Sequence, residues 1–399
     1  MNLAIHGGEP LRKTGFPGWP VVTELDRAGL SRVTLGGNYR SGILRTQFEQ
    51  RFAADCGVKH CFAVANGTVS LELILRAYGI GYGDEVILPP YTFVATLSSI
   101  VYAGATPVFA DIDRGNYLLS PKTLEQKITP RTRAIVVVAV AGCPPDLDAL
   151  EDIAHRHGLR LIVDAAQGVG ATWRGRSICT YGDAASISCQ NSKNLTCGEG
   201  GIIATNDDTL AENISCILGG GAQNGVYTTI GQEHTVSEFQ ASLLLSQYEK
   251  LAGEMELREK NAAYLAGRLK PLPFVSAADY DERITRHGYH LFIMRFDRDA
   301  LREKGITREQ FLTALNAEGI PLTCGYLPLY VFPCATSADT ERAIGTRIDT
   351  TPLPECQRAS YEEGTWLYQS LLLGTRADMD DIADALIKVW EHADDVRGL

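Results

Sequence analysis

The chain has 399 residues, 45% of them hydrophobic and 21% charged, with a formal net charge of −11. That length exceeds what one small core organises and fits a large domain plus a smaller one, with the composition of an ordinary soluble globular protein. The negative charge argues against a nucleic acid or an anionic membrane as the main partner, since both reward a positive face, and directs the search to a small molecule.

The opening MNLAIHGGEPLRK has neither the charged start nor the apolar middle of a secretion signal, and no long apolar run follows it. A cytoplasmic protein is therefore expected. The ten cysteines show no C-x-x-C pair and no zinc spacing, so they read as free, mostly buried thiols. Short β-branched runs then succeed one another: CFAVAN (61–66), DEVILPP (84–90), TPVFADI (106–112), RAIVVVAV (133–140), RLIVDAA (160–166), AASIS (184–188) and GGIIATN (200–206). Helical patterns separate several of them, namely TVSLELILRAYG, TFVATLSSIVYAG and DLDALEDIAHRHG, each closing on a glycine suited to a helix C-terminus. Such alternation predicts an α/β fold with a mostly parallel seven-stranded sheet covered on both faces.

From about residue 236, apolar positions recur at three- and four-residue spacing through VSEFQASLLLSQYEKLAGEMELREKNAAYLAGRLK, which predicts one long amphipathic helix or a pair joining two domains. Beyond it come a strand (HGYHLFIMRF), a helix (REQFLTALNAEG), an irregular stretch from 321 to 358 and a last helix (ADMDDIADALIKVWEH). The expected division is a large ligand-binding domain over 1–250 and a smaller α+β domain over 251–399.

Ligands of open α/β sheets gather at the carboxyl ends of strands, so the residues after each run carry the chemistry. Asn66-Gly67-Thr68 lies between a strand and a helix, where free N–H groups and the helix dipole favour a phosphate or merely a cap. Ser188 could add a hydroxyl there. Asp164 ends a buried run, where a carboxylate is costly without a partner such as a protonated ring nitrogen; a cap on the next helix is the plainer role. Phe93 could stack on a flat ring or fill core. Lys193 heads the turn NSKNLTCGEGG, and a desolvated lysine amine forms an imine with an aldehyde, whereas an ordinary surface lysine does not. Together these groups are the parts list for pyridoxal 5′-phosphate.

The block GDAASISCQNSKNLTCGEGG (182–201) resembles the lysine signature of the DegT/DnrJ/EryC1/StrS family of sugar and cyclitol aminotransferases. The resemblance runs almost end to end, through NLAIHGGEP, SGILRTQFEQRFA, VANGTVSLELIL, GYGDEVILPPYTFVAT, GATPVFADID, VDAAQGVGA, SEFQASLLLSQYEKL and WLYQSLLLG in family order. GGEP and the C-terminal segment look most like the branch that includes inosose aminotransferases and aminohydroxybenzoate synthases. It implies the aspartate-aminotransferase fold, which is fold type I of pyridoxal-phosphate enzymes, and a homodimer with each site at the subunit boundary. Carried over position by position, Lys193 would hold the cofactor as a Schiff base and move protons. Asp164 would keep the pyridine nitrogen protonated, Phe93 would stack on the ring, and Gly67, Thr68 and Ser188 would hold the phosphate. Gln167 stands where the family usually has histidine, near the ring's phenolic oxygen.

Other positions depart from the family. The family's Asn-x-Arg before SEFQA, whose asparagine reaches the neighbouring subunit's phosphate, is replaced by Glu233 and Thr235, while Ala139 and Gln369 stand where histidines are usual. Glu233 is expected to turn away from any phosphate, or the loop to be rebuilt by Asn224 or Gln232. The leading expectation is amino transfer from glutamine or glutamate to a keto-cyclitol or keto-sugar, in aminoglycoside-like secondary metabolism. Elimination, replacement or cyclisation on an amino acid is the alternative the departures raise. A non-catalytic protein of the same fold is a further one, set against Lys193 and Asp164. A nicotinamide dehydrogenase is set aside, because the glycines of YGIGYGDEV precede a strand rather than follow one.

Overall fold

The computed structural model of the chain describes residues 2–40 and 42–398. Strands and helices follow in the order α1 (Glu24–Gly36), α2 (Ile43–Cys56), β1 (His60–Val64), α3 (Gly67–Ala77), β2 (Glu85–Leu88), α4 (Val94–Tyr102), β3 (Thr106–Phe109) and β4 (Thr132–Val138). Then come α5 (Leu147–His157), β5 (Arg160–Asp164), β6 (Ala184–Ser188), β7 (Gly201–Thr205) and α6 (Asp208–Leu218). The seven strands form one sheet in the order β1-β7-β6-β5-β4-β2-β3. Each of the seven β-branched runs supplies one of them. Pairing is parallel from β3 through β2, β4 and β5 to β6, while β7 runs antiparallel to both β1 and β6.

Successive residues of β4 point to opposite faces: Ile135 and Val137 enter a core with α2 and α5 residues, Ala134 and Val136 one with α3 and α4 residues. Both faces are thus dry, which explains why these runs are apolar throughout rather than alternating. The helices between them begin and end on local signals. The Asn66 side chain accepts from the Val69 N–H at 2.9 Å to start α3, and Asp146 accepts from the Ala149 N–H at 3.2 Å to start α5. Gly158 closes α5 in the left-handed conformation, φ 63°.

The long amphipathic segment is a single 32-residue helix, α7 (Glu238–Leu269), opened by a reciprocal cap between Ser237 and Gln240. Its first half buries Leu244, Leu251 and Met255 in the core of the large sheet, and its second half buries Ala262, Leu265 and Leu269 in a separate core. That second core lies under an antiparallel sheet, β8-β9-β11-β10, made of β8 (Val275–Ala277), β9 (Leu291–Phe296), β10 (Thr323–Cys324) and β11 (Gly364–Tyr368). Helices α8 (Arg308–Ala317) and α9 (Arg376–Glu391) cover it. The N-terminal segment also belongs here: Leu3 is buried in this core, and the buried Glu318 accepts from the Ala4 and Leu11 N–H groups. The stretch 321–358, expected to be irregular, contains β10 and two short helices, Ala338–Ile344 and Pro354–Arg358. All ten cysteines are free thiols. Among the described residues no helix is long and apolar enough to cross a membrane.

Candidate active site

Because β7 is antiparallel, its first residue lies at the same sheet edge as the last residues of its neighbours. Gly201 pairs with both Val64 and Ser188. The carboxyl ends of β1, β4, β5 and β6 and the loop from β6 to β7 therefore meet at one edge, and a cavity of about 610 Å³ opens there. Gly67, Thr68, Phe93, Asp164, Gln167, Ser188 and Lys193, each selected from sequence alone, all line it.

At one end lies the start of α3. The Asn66 side chain takes the Val69 N–H and the Asn66 carbonyl takes the Ser70 N–H. The N–H groups of Gly67 and Thr68 are the first two of the helix and have no intrahelical acceptor to reach. Ser188 sits against them. A Cβ on Gly67 would lie 2.8 Å from the Ser188 Cβ, so only glycine allows this approach. The Ser188 Oγ accepts, at 3.4 Å, from the Gln190 N–H, which leaves its own hydrogen to donate. Two backbone donors, a helix dipole and a hydroxyl make a cradle that could hold a phosphate.

Asp164 is 3% exposed. Its Oδ2 accepts from the Thr96 hydroxyl at 2.8 Å and its Oδ1 from the Ala166 N–H at 3.1 Å. Hydrogen bonds to a charged group contribute about 1.5–3 kcal/mol each, against a burial cost of several kcal/mol for the ion. Burial wins: the carboxyl is held above its usual range despite both hydrogen bonds and the charge of Lys193. The carboxylate is thus short of one cationic partner, which a protonated ring nitrogen would supply.

Lys193 is half-buried in the cavity wall. Loss of hydration lowers its ammonium to about 8, against the opposing pull of Asp164. The amine is consequently available near neutral pH, as a Schiff-base lysine requires. The glycines behind it serve the turn. Gly198 adopts φ 88°, a Cβ on Gly200 would meet Cys197 Sγ and Cys189 Cβ, and one on Gly201 would lie 2.3 Å from the Asn66 carbonyl oxygen. They let the loop fold back over the start of α3.

Gln167 is fixed at both ends. Its Oε1 accepts from the Ala141 N–H at 2.7 Å, and its Nε2 donates to the Tyr326 hydroxyl at 2.9 Å, leaving one amide hydrogen over. Phe93, immediately before α4, is 56% exposed at the cavity and touches no other ring among the described residues.

The opposite wall was not anticipated as a site. His290, Leu291, Tyr326, Trp366 and Tyr368 face the cavity from the second sheet and the segment before β11. Tyr326 packs edge-on to Trp366 with ring centroids 4.7 Å apart, and the Trp366 Nε1–H is buried without a partner. The available signals were HGYHLFIMRF, read only as a strand, and WLYQ, read only as a departure. Thr96, the partner of Asp164, was also missed, although its place on the helix after Phe93 puts it at the same sheet edge.

The departures have local structural answers. Glu233 does turn to the surface, where it pairs with Arg40 at 2.5 Å, both largely exposed. Residues 234 and 235 run beside the end of β1, with the Ala65 N–H donating to the His234 carbonyl at 2.8 Å. Ala139 is fully buried, and a Cβ on Gly168 would lie 3.1 Å from its methyl. Gln369 accepts two hydrogen bonds from the buried Arg258, at 3.0 and 2.6 Å.

The DegT/DnrJ/EryC1/StrS aminotransferase family matches residues 21–348. A putative L-glutamine:3-amino-2,3-dideoxy-scyllo-inosose aminotransferase of Streptoalloteichus tenebrarius is 36% identical, over 99% of each chain. An L-glutamine:2-deoxy-scyllo-inosose aminotransferase of the same organism is also 36% identical, over 100% of this chain and 99% of the other. Among solved structures, 3-amino-5-hydroxybenzoic acid synthase superposes with a TM-score of 0.84 at 28% identity, covering 94% of this chain and all of that one.

Proposed function

The chain belongs to the DegT/DnrJ/EryC1/StrS aminotransferase family, and from that premise we propose that it moves an amino group from glutamine or glutamate to a keto-cyclitol, or a keto-sugar of similar ring size, in aminoglycoside-like secondary metabolism. The single observation that carries the reading is the convergence of the Gly67–Thr68–Ser188 cradle, Asp164 and Lys193 on one cavity. The two inosose aminotransferases similar over the whole chain support the acceptor class.

The cofactor of such an enzyme is pyridoxal 5′-phosphate, and the residues fit it: a cradle only glycine permits, a carboxylate one cation short, and a lysine with a lowered pKa. Gly67, Thr68 and Ser188 would hold the phosphate, Asp164 the pyridine nitrogen, Gln167 the phenolic oxygen, and Phe93 would cover the ring. Bound there, the cofactor supplies an electron sink for charge that develops at the reacting carbon. Lys193 Nζ does the proton work: it takes the proton from the amino-bearing carbon of the donor and, in the return half, delivers one to the former keto carbon of the acceptor. Tyr326, Trp366 and Tyr368 offer apolar ring faces to the acceptor and keep water from it.

The purified holoenzyme is expected to be yellow, to bleach when glutamine or glutamate is added alone, and to recover its colour with a ketone acceptor. Elimination predicts instead a keto acid together with free ammonia, replacement predicts a new amino acid, and neither leaves lasting bleaching. Absorbance spectra with product analysis separate the two.

The active unit in this reading is a homodimer. Among the described residues that line the cavity, Lys193 is the only Lys or Arg, so the donor's carboxylate needs a cation from another subunit. Leu25, Leu35, Ile43, Tyr227 and Ile230, all exposed, offer apolar surface for such a contact. Light scattering should give twice the chain mass of 43.4 kDa; a mass of one chain in active enzyme would remove the dimer. The free thiols support a cytoplasmic location, which localisation in intact cells would check.

A further inference from the structure

We infer that His290 reads the acceptor: its Nε2, preset as a bare lone pair in the cavity wall, takes a hydrogen bond from a ring hydroxyl of the ketone. This deepens the proposed function and rests on it.

The inference starts from an amide. Asn194, next to Lys193, is 4% exposed, and its Nδ2 donates to the Gly288 carbonyl at 2.7 Å. Turning that amide over would set its oxygen against the carbonyl oxygen, so the orientation is fixed. Asn194 Oδ1 therefore faces His290 Nδ1, 3.1 Å away. An amide oxygen only accepts, so Nδ1 carries the ring proton. A neutral imidazole has one such proton, and Nε2 is left with a lone pair.

Two facts keep the ring neutral. His290 is 4% exposed, and its desolvation, with the charges of Lys193 and Arg258, holds its basicity far below the ordinary value. The groups that face it are thus cationic or neutral, and nothing nearby rewards a second proton.

Nε2 has no hydrogen-bond partner among the described residues, and it is not sealed in: His290 lines the cavity, whereas the Nε2 of nearby His287 is buried and partnerless. Three other acceptors of the lining are engaged, while the carboxylate of Glu199, also at the cavity, is exposed. Asp164 takes the Thr96 hydroxyl and the Ala166 N–H, Gln167 Oε1 takes the Ala141 N–H, and Gln190 Oε1 takes the Ser192 N–H and hydroxyl. A fixed neutral acceptor of this kind favours a hydroxyl donor and disfavours a carbonyl or ether oxygen at the same place. The ligand class is a polyhydroxylated cyclic ketone.

The test has two arms on the full-length chain. In ¹⁵N-labelled protein, the His290 ring, assigned by its loss in His290→Phe, should show a protonated Nδ1 and an unprotonated Nε2. In Asn194→Leu that preference should relax. In the second arm, glutamine alone bleaches the enzyme and 2-deoxy-scyllo-inosose then restores the colour. His290→Phe is expected to slow colour return relative to bleaching by about 10- to 100-fold. His290→Gln, which keeps an acceptor, should recover at least part of that loss. A protonated Nε2, or parallel slowing of both halves in His290→Phe, overturns the inference. Failure of the unmutated holoenzyme to bleach with any donor would instead remove the aminotransferase reading, leaving the tautomer result to stand by itself.

Discussion

Replacing Lys193 by alanine is expected to lower amino transfer by on the order of 10⁴-fold, the upper range for losing a positioned acid–base group, while the fold is kept. Among the described residues the half-buried side chain makes no hydrogen bond, and its N–H to the Gln190 carbonyl is backbone. Alanine therefore removes chemistry and little packing. Borohydride supplies a second readout. Treated holoenzyme should yield a tryptic peptide containing Lys193 that is heavier by the reduced cofactor, and the alanine variant should yield none. An unmodified Lys193 peptide from fully active protein would refute the assignment.

Asp164→Asn should push activity and stability in opposite directions. Transfer is expected to fall by about 10²- to 10³-fold, as for loss of one preorganised electrostatic contact in a dry site. The cofactor-free protein, by contrast, should melt at a higher temperature than the unmodified chain at neutral pH. The sign follows from the raised pKa of Asp164, which burial produces. A carboxyl whose folded pKa lies above its unfolded value adds stability that is fully present below the unfolded pKa and is lost as pH rises through the folded one. Above the folded pKa that contribution is gone. Asparagine avoids the buried ion at little geometric expense: its oxygen can keep the Ala166 N–H, and its amide can donate to Thr96, whose hydroxyl can turn to Thr92 at 3.3 Å. The advantage should shrink as pH falls into the acid range. Calorimetry of the cofactor-free and loaded forms of both chains measures this, and an asparagine variant that melts lower without cofactor would contradict it.

How much of this was legible in the sequence depended on whether a residue's role is set by its neighbours in the chain. The seven sheet strands were, because burial on both faces leaves continuous β-branched runs, and each site residue just beyond a run was placed by the topology of parallel sheets. Helices α1 and α2, for which no helical pattern was read, were not. In α1 the usual contrast is inverted: Leu25 and Leu35 are exposed, at 56% and 85%, while Asp26 is buried and accepts from Ser246 and Gln247 of α7. Apolar periodicity finds a helix only when the apolar face is the buried one. His290 escaped for a related reason. In HGYHLFIMRF it reads as the polar edge of a strand, and its tautomer is dictated by an asparagine 96 positions earlier. What the glycines after Lys193 avoid, the backbone of Asn66, the Cys197 thiol and the Cys189 Cβ, lies in other parts of the chain and is not written in the turn itself.

The antiparallel insertion of β7 between β1 and β6 bears on how the protein matures. The two halves of the phosphate cradle, Gly67–Thr68 and Ser188, stand on either side of Gly201, the residue with which that strand begins. Neither an early helix nor a local hairpin can assemble the cradle, because its halves meet only when β1 and β6 both pair with β7, the last of the three in chain order. In the proposed function, capture of the cofactor's phosphate therefore waits until the central sheet has closed.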